Sequence, residues 1–388
     1  MRKLFLALAF VGLLFVIYYE KFSTRLYINP LEYTKFKKIS SENISKCDAG
    51  HEIEYFRYKS VPEGESRNNK FGLYIYPDNE KFIELADRLV NSNGGDWGYV
   101  LIPFNVKDTN EDKWNRLFYL LNKKHLIPVI QLYDVDLEDY EDQTKEAAEF
   151  LNERIWPIRQ RYVSVYNEPN DANFWYGKVD PAEYARVLDF TVRRFKEVNQ
   201  DFFMMNAGFN VSAPNGNSYM DSFTFMQQMN EEIPGIFDRL DGWASHPYPQ
   251  PNFGGSPSAS GRWSIRAYED ELAFLHDSLG VEKELPVFIT ETGWAHDAGK
   301  TYNSSYLSLD EVSDNYEEAY EKVWLPDDRV VAVMPFTVWY ESPGDHFSWV
   351  DSRSVPYQQY EAVKSMKKTE GNPESLETAK VTSEECPN

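Results

Sequence analysis

Cysteine is scarce in this chain of 388 residues, which contains only Cys47 and Cys386, one near each end. They have neither CxxC spacing nor a neighbouring histidine cluster, which argues against a zinc site. With six histidines in all, no His/Asp cluster follows the predicted strands, so we predict no metal ion and no cofactor. If the protein is exported, Cys47 and Cys386 can pair in a disulfide, but the geometry of that pair cannot be derived from sequence.

Basic residues are also few relative to acidic ones: 40 Lys and Arg face 62 Asp and Glu, a formal net charge of −22. Nucleic-acid binding depends on neutralising phosphates with Lys and Arg, so this balance argues against a nucleic-acid partner. It argues equally against adhesion to an anionic membrane surface. A neutral or cationic ligand is favoured, although a solvated acidic surface explains the charge as well.

One long apolar run stands at the N-terminus, from Leu4 to Tyr19 after Arg2 and Lys3. It is long for the apolar region of a signal peptide and slightly short for a full membrane span. No small-residue cleavage site follows it. We interpret residues 1–21 as an uncleaved signal anchor that places the rest of the chain outside the cytoplasm. A signal peptide cleaved elsewhere and a buried helix are the alternatives.

Strand-like and helix-like segments alternate eight times between residues 71 and 368. The strands are predicted at residues 72–76, 98–102, 128–132, 162–166, 202–206, 242–246, 287–291 and 330–334. Apolar strands that alternate with helices indicate a parallel sheet, and eight of them predict a closed (β/α)8 TIM barrel. A doubly wound open sheet is the alternative, but no Gly-rich phosphate turn follows the first strand. We expect a linker and barrel-capping segment over residues 22–70, a flexible tail over 369–388, and a monomer.

Two of the predicted strands lead into a glutamate, Glu168 and Glu291. Catalytic groups of such barrels collect at the C-terminal strand ends, and these two strands, the fourth and the seventh, lie on opposite sides of the ring. Carboxyl groups about 5 Å apart across the mouth suit retaining glycoside hydrolysis. In that chemistry we expect Glu168 to be the acid/base and Glu291 the nucleophile.

Other polar and aromatic residues stand at the same strand ends. We expect Asn167 to bind a sugar hydroxyl, and His246 and Tyr248 to hold the carboxylates, with Tyr248 donating to Glu291. Trp339 is a candidate platform beneath the sugar. The remaining candidates for substrate binding are Asn206 and Trp294. Each aromatic residue, and His246, also has a purely structural interpretation as part of the core. The aromatic content of 16 % exceeds what a core requires and suits a sugar ligand.

The stretches Tyr166-Asn167-Glu168-Pro169 and Thr290-Glu291-Thr292-Gly293-Trp294 resemble the clan of retaining (β/α)8-barrel glycoside hydrolases that includes cellulase-like and β-xylosidase-like families. In that clan the acid/base follows an Asn at the end of strand four, and the nucleophile ends strand seven. The resemblance implies cleavage of β-glycosidic bonds in an oligo- or polysaccharide without a cofactor. One departure is that many members carry an Arg at the end of strand two, where this chain has Pro103-Phe104-Asn105.

Two alternatives remain open beside hydrolysis. The same residues serve a transglycosylase, and a barrel of this kind can bind carbohydrate without catalysis.

Overall fold

The computed structural model describes residues 29–41, 53–62 and 64–381. The strands in these residues are β1 (Ile53–Tyr58), β2 (Gly72–Tyr74), β3 (Gly98–Asn105), β4 (Leu126–Tyr133), β5 (Arg161–Ser164), β6 (Phe202–Met205), β7 (Trp243–Ser245), β8 (Val287–Ile289), β9 (Val330–Val333) and β10 (Leu376–Val381). Each predicted strand overlaps one of the eight strands from β2 to β9.

Strands β2 to β9 form a closed parallel barrel. Strands β2 to β6 pair in chain order, and β7, β8 and β9 pair in the same way. Single parallel bridges join the two groups, from Met205 to Gly242 on one side and from Phe71 to Val333 on the other. The predicted (β/α)8 barrel is therefore confirmed.

Helices connect the barrel strands and cover their outer faces. They are α2 (Glu80–Val90), α3 (Glu111–Lys123), α4 (Tyr140–Asn152), α5 (Pro181–Val198), α6 (Ser222–Glu232), α7 (Ala267–Leu279), α8 (Leu309–Ala319) and α9 (Gln358–Ser365), and a preceding helix, α1, spans Pro30–Ser41. Helix α5 shows the local logic: Asp180 caps its first turn by accepting from the Glu183 N–H, and Pro181 occupies the position where no donor is needed.

Aromatic rings fill the interior of the barrel below its mouth. Tyr99, Tyr162, Phe203 and Phe288 contact one another with ring centroids 4.9 to 6.3 Å apart. Each is the second residue of its strand, so this group lies toward the N-terminal ends of the strands. Part of the high aromatic content is thus core, and the barrel is closed beneath the opposite end, where the predicted site lies.

The segments on either side of the barrel meet in a two-stranded antiparallel ribbon. Strand β10 pairs with β1 over six residues, from Leu376 opposite Tyr58 to Val381 opposite Ile53. The prediction of a flexible tail from residue 369 is therefore wrong for residues 376–381, which are held by this pairing. The Leu376 N–H also donates to the Pro157 carbonyl, just before β5, so the ribbon lies at the end of the barrel opposite the predicted site.

The predicted linker contains α1, which packs on α3. The ring of Tyr119 contacts those of Tyr33 and Phe36 at 5.2 Å in each case. No helix within the described residues is both long and apolar enough to cross a membrane. The predicted anchor, residues 1–21, and both Cys47 and Cys386 lie outside those residues, so the anchor, the location of the protein and the disulfide stay predictions.

Candidate active site

Glu168 stands just beyond the end of β5, where the backbone turns sharply. Tyr166 has φ +75° and Glu168 has φ +36°, a left-handed conformation that costs energy for residues with a side chain. The Glu168 N–H donates to the Gly208 carbonyl at 3.1 Å, which holds the turn. The side chain is buried, with only 8 % of the residue exposed. Such strain is concentrated at functional sites, and here it aims a carboxyl group into the barrel mouth.

His246 brings the two predicted carboxylates together. It follows β7, and its Nδ1 lies 3.0 Å from Oε1 of Glu168 and 4.0 Å from Oε2 of Glu291. The nearest ligand atoms of these three buried residues all lie within 4.8 Å of one another. The sequence expectation that His246 holds the carboxylates agrees with this geometry.

Hydrogen-bond donors surround Glu291. The Tyr248 hydroxyl donates to its Oε2 at 3.1 Å, and the nearby side chain of Gln131 also lowers the pKa of Glu291. Gln131 also donates to Oδ1 of Asn167 at 3.1 Å and accepts from the Tyr74 hydroxyl at 3.1 Å. The half-buried Asn167 is thereby oriented beside the carboxylates.

Gln131 is a site residue that the predicted set lacks. Its signal in the sequence is a single amide in the otherwise apolar strand β4. The arginine that many clan members carry has no counterpart here, since Asn105 donates to Asp134 at 2.8 Å. Tyr248 donates to Glu291 instead, and Gln131 also lowers the pKa of Glu291.

Burial and neighbouring charges separate the two carboxyl groups. Burial raises the pKa of Glu168 to about 8, and the negative charge of Asp171 acts in the same direction. Burial also raises the pKa of Glu291, to about 7, and the charge of Glu168 adds to this, while His246, Tyr248 and Gln131 all lower it. Glu291 therefore ionises before Glu168 as the pH rises, because Tyr248 donates a hydrogen bond to Glu291, whereas the like charge of Asp171 acts on Glu168.

The imidazole of His246 is neutral at pH 7, because burial lowers its pKa against the opposing effect of Glu291. Its Nε2 is buried without a hydrogen-bond partner among the described residues. The hydrogen is therefore best placed on Nδ1, where it is donated to Oε1 of Glu168. The ring lies so close to Gly208 that a Cβ at this position would overlap it, which makes Gly208 a second residue missing from the predicted set.

Two predicted substrate-binding residues lie in the barrel wall instead. Asn206 is fully buried; its amide donates to the carbonyls of Ala207 and Ala244 at 2.6 and 2.9 Å and accepts from the Ala244 N–H at 2.9 Å. Trp294 is 1 % exposed, and its indole N–H donates to the Gly255 carbonyl at 2.7 Å. The prediction that these two residues bind substrate is wrong, because their polar atoms are used by the backbone.

Two aromatic residues beyond β9 complete the surroundings. Trp339 is half-buried and packs on the edge of the core, so its role as a sugar platform stays a prediction. Burial, and then the charge of Glu291, raises the pKa of its neighbour Tyr340 to about 12. Tyr340 therefore lies within electrostatic reach of the carboxylates.

No protein-family model matches the chain. No curated protein matches it in sequence. Solved structures do resemble it. A monomeric β-xylosidase from Caulobacter crescentus CB15 has a TM-score of 0.55 at 15 % identity, over 82 % of this chain and 72 % of that one. The chain shares its barrel fold.

Two further structures are similar. Another β-xylosidase from Caulobacter crescentus has a TM-score of 0.53 at 15 % identity, over 82 % of this chain and 76 % of that one. A β-glucuronidase from Ruminococcus gnavus has a TM-score of 0.50 at 12 % identity, over 80 % of this chain and 52 % of that one. The resemblance inferred from the strand-end motifs is thus confirmed for the fold.

The site can support two kinds of chemistry. A protonated and an ionised carboxyl group that face one gap are suited to acid and nucleophile or base roles at neutral pH. The same Glu168, His246 and Glu291 atoms are close enough to hold a metal ion. The prediction that no His/Asp cluster follows the strands did not consider glutamate ligands, which the fold brings together with His246 from three distant strands.

Proposed function

We propose that the protein is a retaining glycoside hydrolase that cleaves β-glycosidic bonds by double displacement. The observation that carries the proposal is the pair of buried carboxyl groups on opposite sides of the barrel, with oxygens within 4.8 Å of each other. Retaining enzymes keep their two carboxyl groups about 5 Å apart, which is too close for a water molecule to attack between them.

Glu168 acts as the acid in the first step. Its Oε1 accepts from Nδ1 of His246, which leaves Oε2 to carry the proton to the glycosidic oxygen. Glu291 attacks the anomeric carbon and forms a glycosyl ester. Tyr248 and Gln131 stabilise its ionised form before the attack.

Glu168 acts as the base in the second step. Ester formation removes the negative charge of Glu291, and the loss of this like charge lowers the pKa of Glu168. The Glu168 carboxylate then takes a proton from water, which attacks the anomeric carbon and releases the sugar with its configuration retained.

The structural neighbours support this function by analogy of fold. The two Caulobacter proteins are β-xylosidases. We propose that this chain also acts on β-linked glycosides, and we do not specify the sugar.

Azide rescue tests the two roles. Glu168→Ala should cripple hydrolysis of natural glycosides and let azide restore turnover of an activated aryl β-glycoside as the β-azide. Glu291→Ala with azide should yield the α-azide, because azide then attacks directly. A panel of aryl β-glycosides and soluble β-glucans, β-mannans, xylans and galactans identifies the substrate first.

Glu271 is the matched control for these variants. It is also a buried glutamate whose pKa is raised to about 7 by burial, but it lies on α7 and accepts from Ser245 and Trp243, outside the barrel mouth. Glu271→Gln should retain activity and show no response to azide. Equal activity in Glu168→Ala, Glu291→Ala and the unmodified chain would refute the assignment.

The cluster around His246 favours metal-assisted hydrolysis as the second candidate function. One imidazole nitrogen and two carboxylate oxygens suit a divalent transition metal. Dialysis against a chelator separates the candidates: it should leave the glycosidase activity intact if the carboxyl groups act alone. Activity that is lost on dialysis and restored by one metal would support the second candidate.

A further inference from the structure

The largely exposed aromatic residues of the described chain lie on one face of the barrel. They are Tyr133 (43 % exposed), Phe174 (52 %), Tyr176 (47 %), Trp263 (67 %) and Tyr302 (77 %). All five stand at the end of a barrel strand or in the loop between a strand and the following helix. Such loops surround the mouth at the C-terminal ends of the strands, where Glu168 and Glu291 lie. A solvated surface alone does not explain why exposed rings occur only there.

Tyr133 links this face directly to the carboxylates. It is the last residue of β4, two positions after Gln131, and alternate residues of a strand point to the same side. Gln131 points into the mouth, where it contacts Asn167 and Glu291. The Tyr133 ring therefore stands on the same side, about 6.6 Å further out along the strand.

Tyr176 approaches the same place from the loop after β5. The backbone of Val135, in the loop after β4, lowers the pKa of Tyr176, and both Tyr176 and Tyr133 lie within electrostatic reach of Asp134. Tyr133, at the end of β4, and Tyr176, in the loop after β5, are two half-exposed rings on which the charge of the same carboxylate acts. We call Tyr133 and Tyr176 the tyrosine platform.

The charge around the platform is negative. Burial, and then the carboxylates of Asp78, Asp134 and Asp108, raises the pKa of Tyr133 to about 12. Two lysines offset part of this charge: Lys107 lies 2.9 Å from Asp134, and Lys113 lies 2.8 Å from both Asp78 and Asp108. Three negative groups against two positive ones disfavour an anionic ligand.

We propose that the tyrosine platform is a second sugar-binding subsite, which holds an uncharged sugar unit of a β-linked chain beside the unit bound at the carboxylates. The substrate is then an oligo- or polysaccharide of neutral sugars and not a polyuronide. The inference rests on the proposed function only for the position at which the sugar chain is cleaved, because binding at the platform requires no catalysis.

Binding to an inactive form tests the platform. The parent is the full chain with Glu168→Gln, and the probes are six-unit cello-, xylo-, manno- and laminari-oligosaccharides and a six-unit oligogalacturonide, each titrated by calorimetry. At least one neutral oligosaccharide should bind, and the oligogalacturonide should bind more weakly than that neutral oligosaccharide. Adding Tyr133→Ala or Tyr176→Ala should weaken the neutral ligand about tenfold, since each removes one ring face.

Tyr133→Phe is the matched control, because it keeps the ring and removes only the hydroxyl; it should bind as the parent does. Tyr176→Ala tests the same platform from another loop if Tyr133→Ala folds poorly. The proposal is overturned if no neutral oligosaccharide binds, if both alanine variants bind as tightly as the parent, if Tyr133→Phe loses as much as Tyr133→Ala, or if the oligogalacturonide binds equally well.

The outcomes for the two proposals are separable. Binding that depends on the platform, together with no cleavage of any glycoside by the unmodified chain, would refute the hydrolase function and leave the subsite standing. Cleavage of aryl glycosides without oligosaccharide binding would refute the subsite and support the hydrolase function.

Discussion

Replacing Tyr248 by phenylalanine removes a single hydroxyl group from the site. That hydroxyl donates to Oε2 of Glu291 at 3.1 Å. The ring is held independently of it, edge-on against Phe253 at 5.4 Å and tilted against Phe347 at 5.5 Å. Because these ring contacts survive in Tyr248→Phe, the variant isolates the effect of one donor on the ionised carboxylate.

The expected change in the pKa of Glu291 follows from the free energy of this hydrogen bond. A hydrogen bond to a charged group contributes about 1.5–3 kcal/mol, and one pKa unit corresponds to about 1.4 kcal/mol. Losing the donor disfavours the ionised form, so the pKa of Glu291 should rise by about one to two units from about 7. It then reaches or passes the value of about 8 for Glu168. The fraction of enzyme with Glu168 protonated and Glu291 ionised falls about fivefold to fiftyfold at pH 7.

The assay is the pH profile of kcat/KM for an activated aryl β-glycoside, which reports groups of the free enzyme. The acid limb of Tyr248→Phe should move upward by about one to two pH units, and the maximum should fall. Tyr268→Phe is the matched control, because its hydroxyl donates at 2.9 Å to Asp327, a carboxylate outside the site. An acid limb that stays in place in Tyr248→Phe would refute the reasoning that this hydroxyl sets the ionisation of Glu291.

Two further predictions concern stability. Burial raises the pKa of Glu168 in the folded protein to about 8. The stability that its protonated form contributes is therefore fully present below the pKa of the unfolded state, and it is lost as the pH rises through about 8. Glu168→Gln should therefore raise the free energy of unfolding at pH 9, on the order of 5 kcal/mol, and change it little at pH 4. Denaturant titrations that show no pH-dependent difference would contradict the burial of this charge. Asn206→Ala should lower that free energy by about 2–4 kcal/mol, because buried backbone groups lose their partners, while KM stays unchanged; an altered KM in a variant of normal stability would return Asn206 to the substrate site.

The barrel and its pair of glutamates could be predicted from the sequence because the patterns that indicate them are local. Each strand is a short apolar run followed by a helix, and eight such units leave few ways to satisfy every strand edge. Glu168 and Glu291 come directly after such runs, so the fold places them at the same end of the barrel.

Asn206 shows where local signals fail. It follows β6 as Glu168 and Glu291 follow their strands, yet its amide bonds to Ala244, 38 positions away. Whether a strand-end side chain points into the mouth or into the wall depends on the register with neighbouring strands, and a shift of one residue reverses it.

The prediction of a flexible C-terminal tail failed for a similar reason. Residues 376–381 form a short segment of mixed apolar and polar residues, and their partner β1 is far away in sequence. Arg57 and Glu377, which face each other across the ribbon, are 320 positions apart. A segment that is stabilised only by such a distant partner has no local signal that distinguishes it from a flexible tail.

The sequence by itself determined the fold class and the two carboxylates that define the candidate site, because apolar periodicity and strand-end position are properties of the linear chain. His246 and Tyr248 were also predicted to hold these carboxylates, but only the tertiary structure added Gln131 and Gly208 to their surroundings. Gln131 comes from β4, whereas His246 and Tyr248 both follow β7, and Gly208 leaves the space that the His246 ring occupies. The order in which Glu291 and Glu168 ionise depends on desolvation and on charges a few ångströms away, and these distances exist only once the barrel has closed.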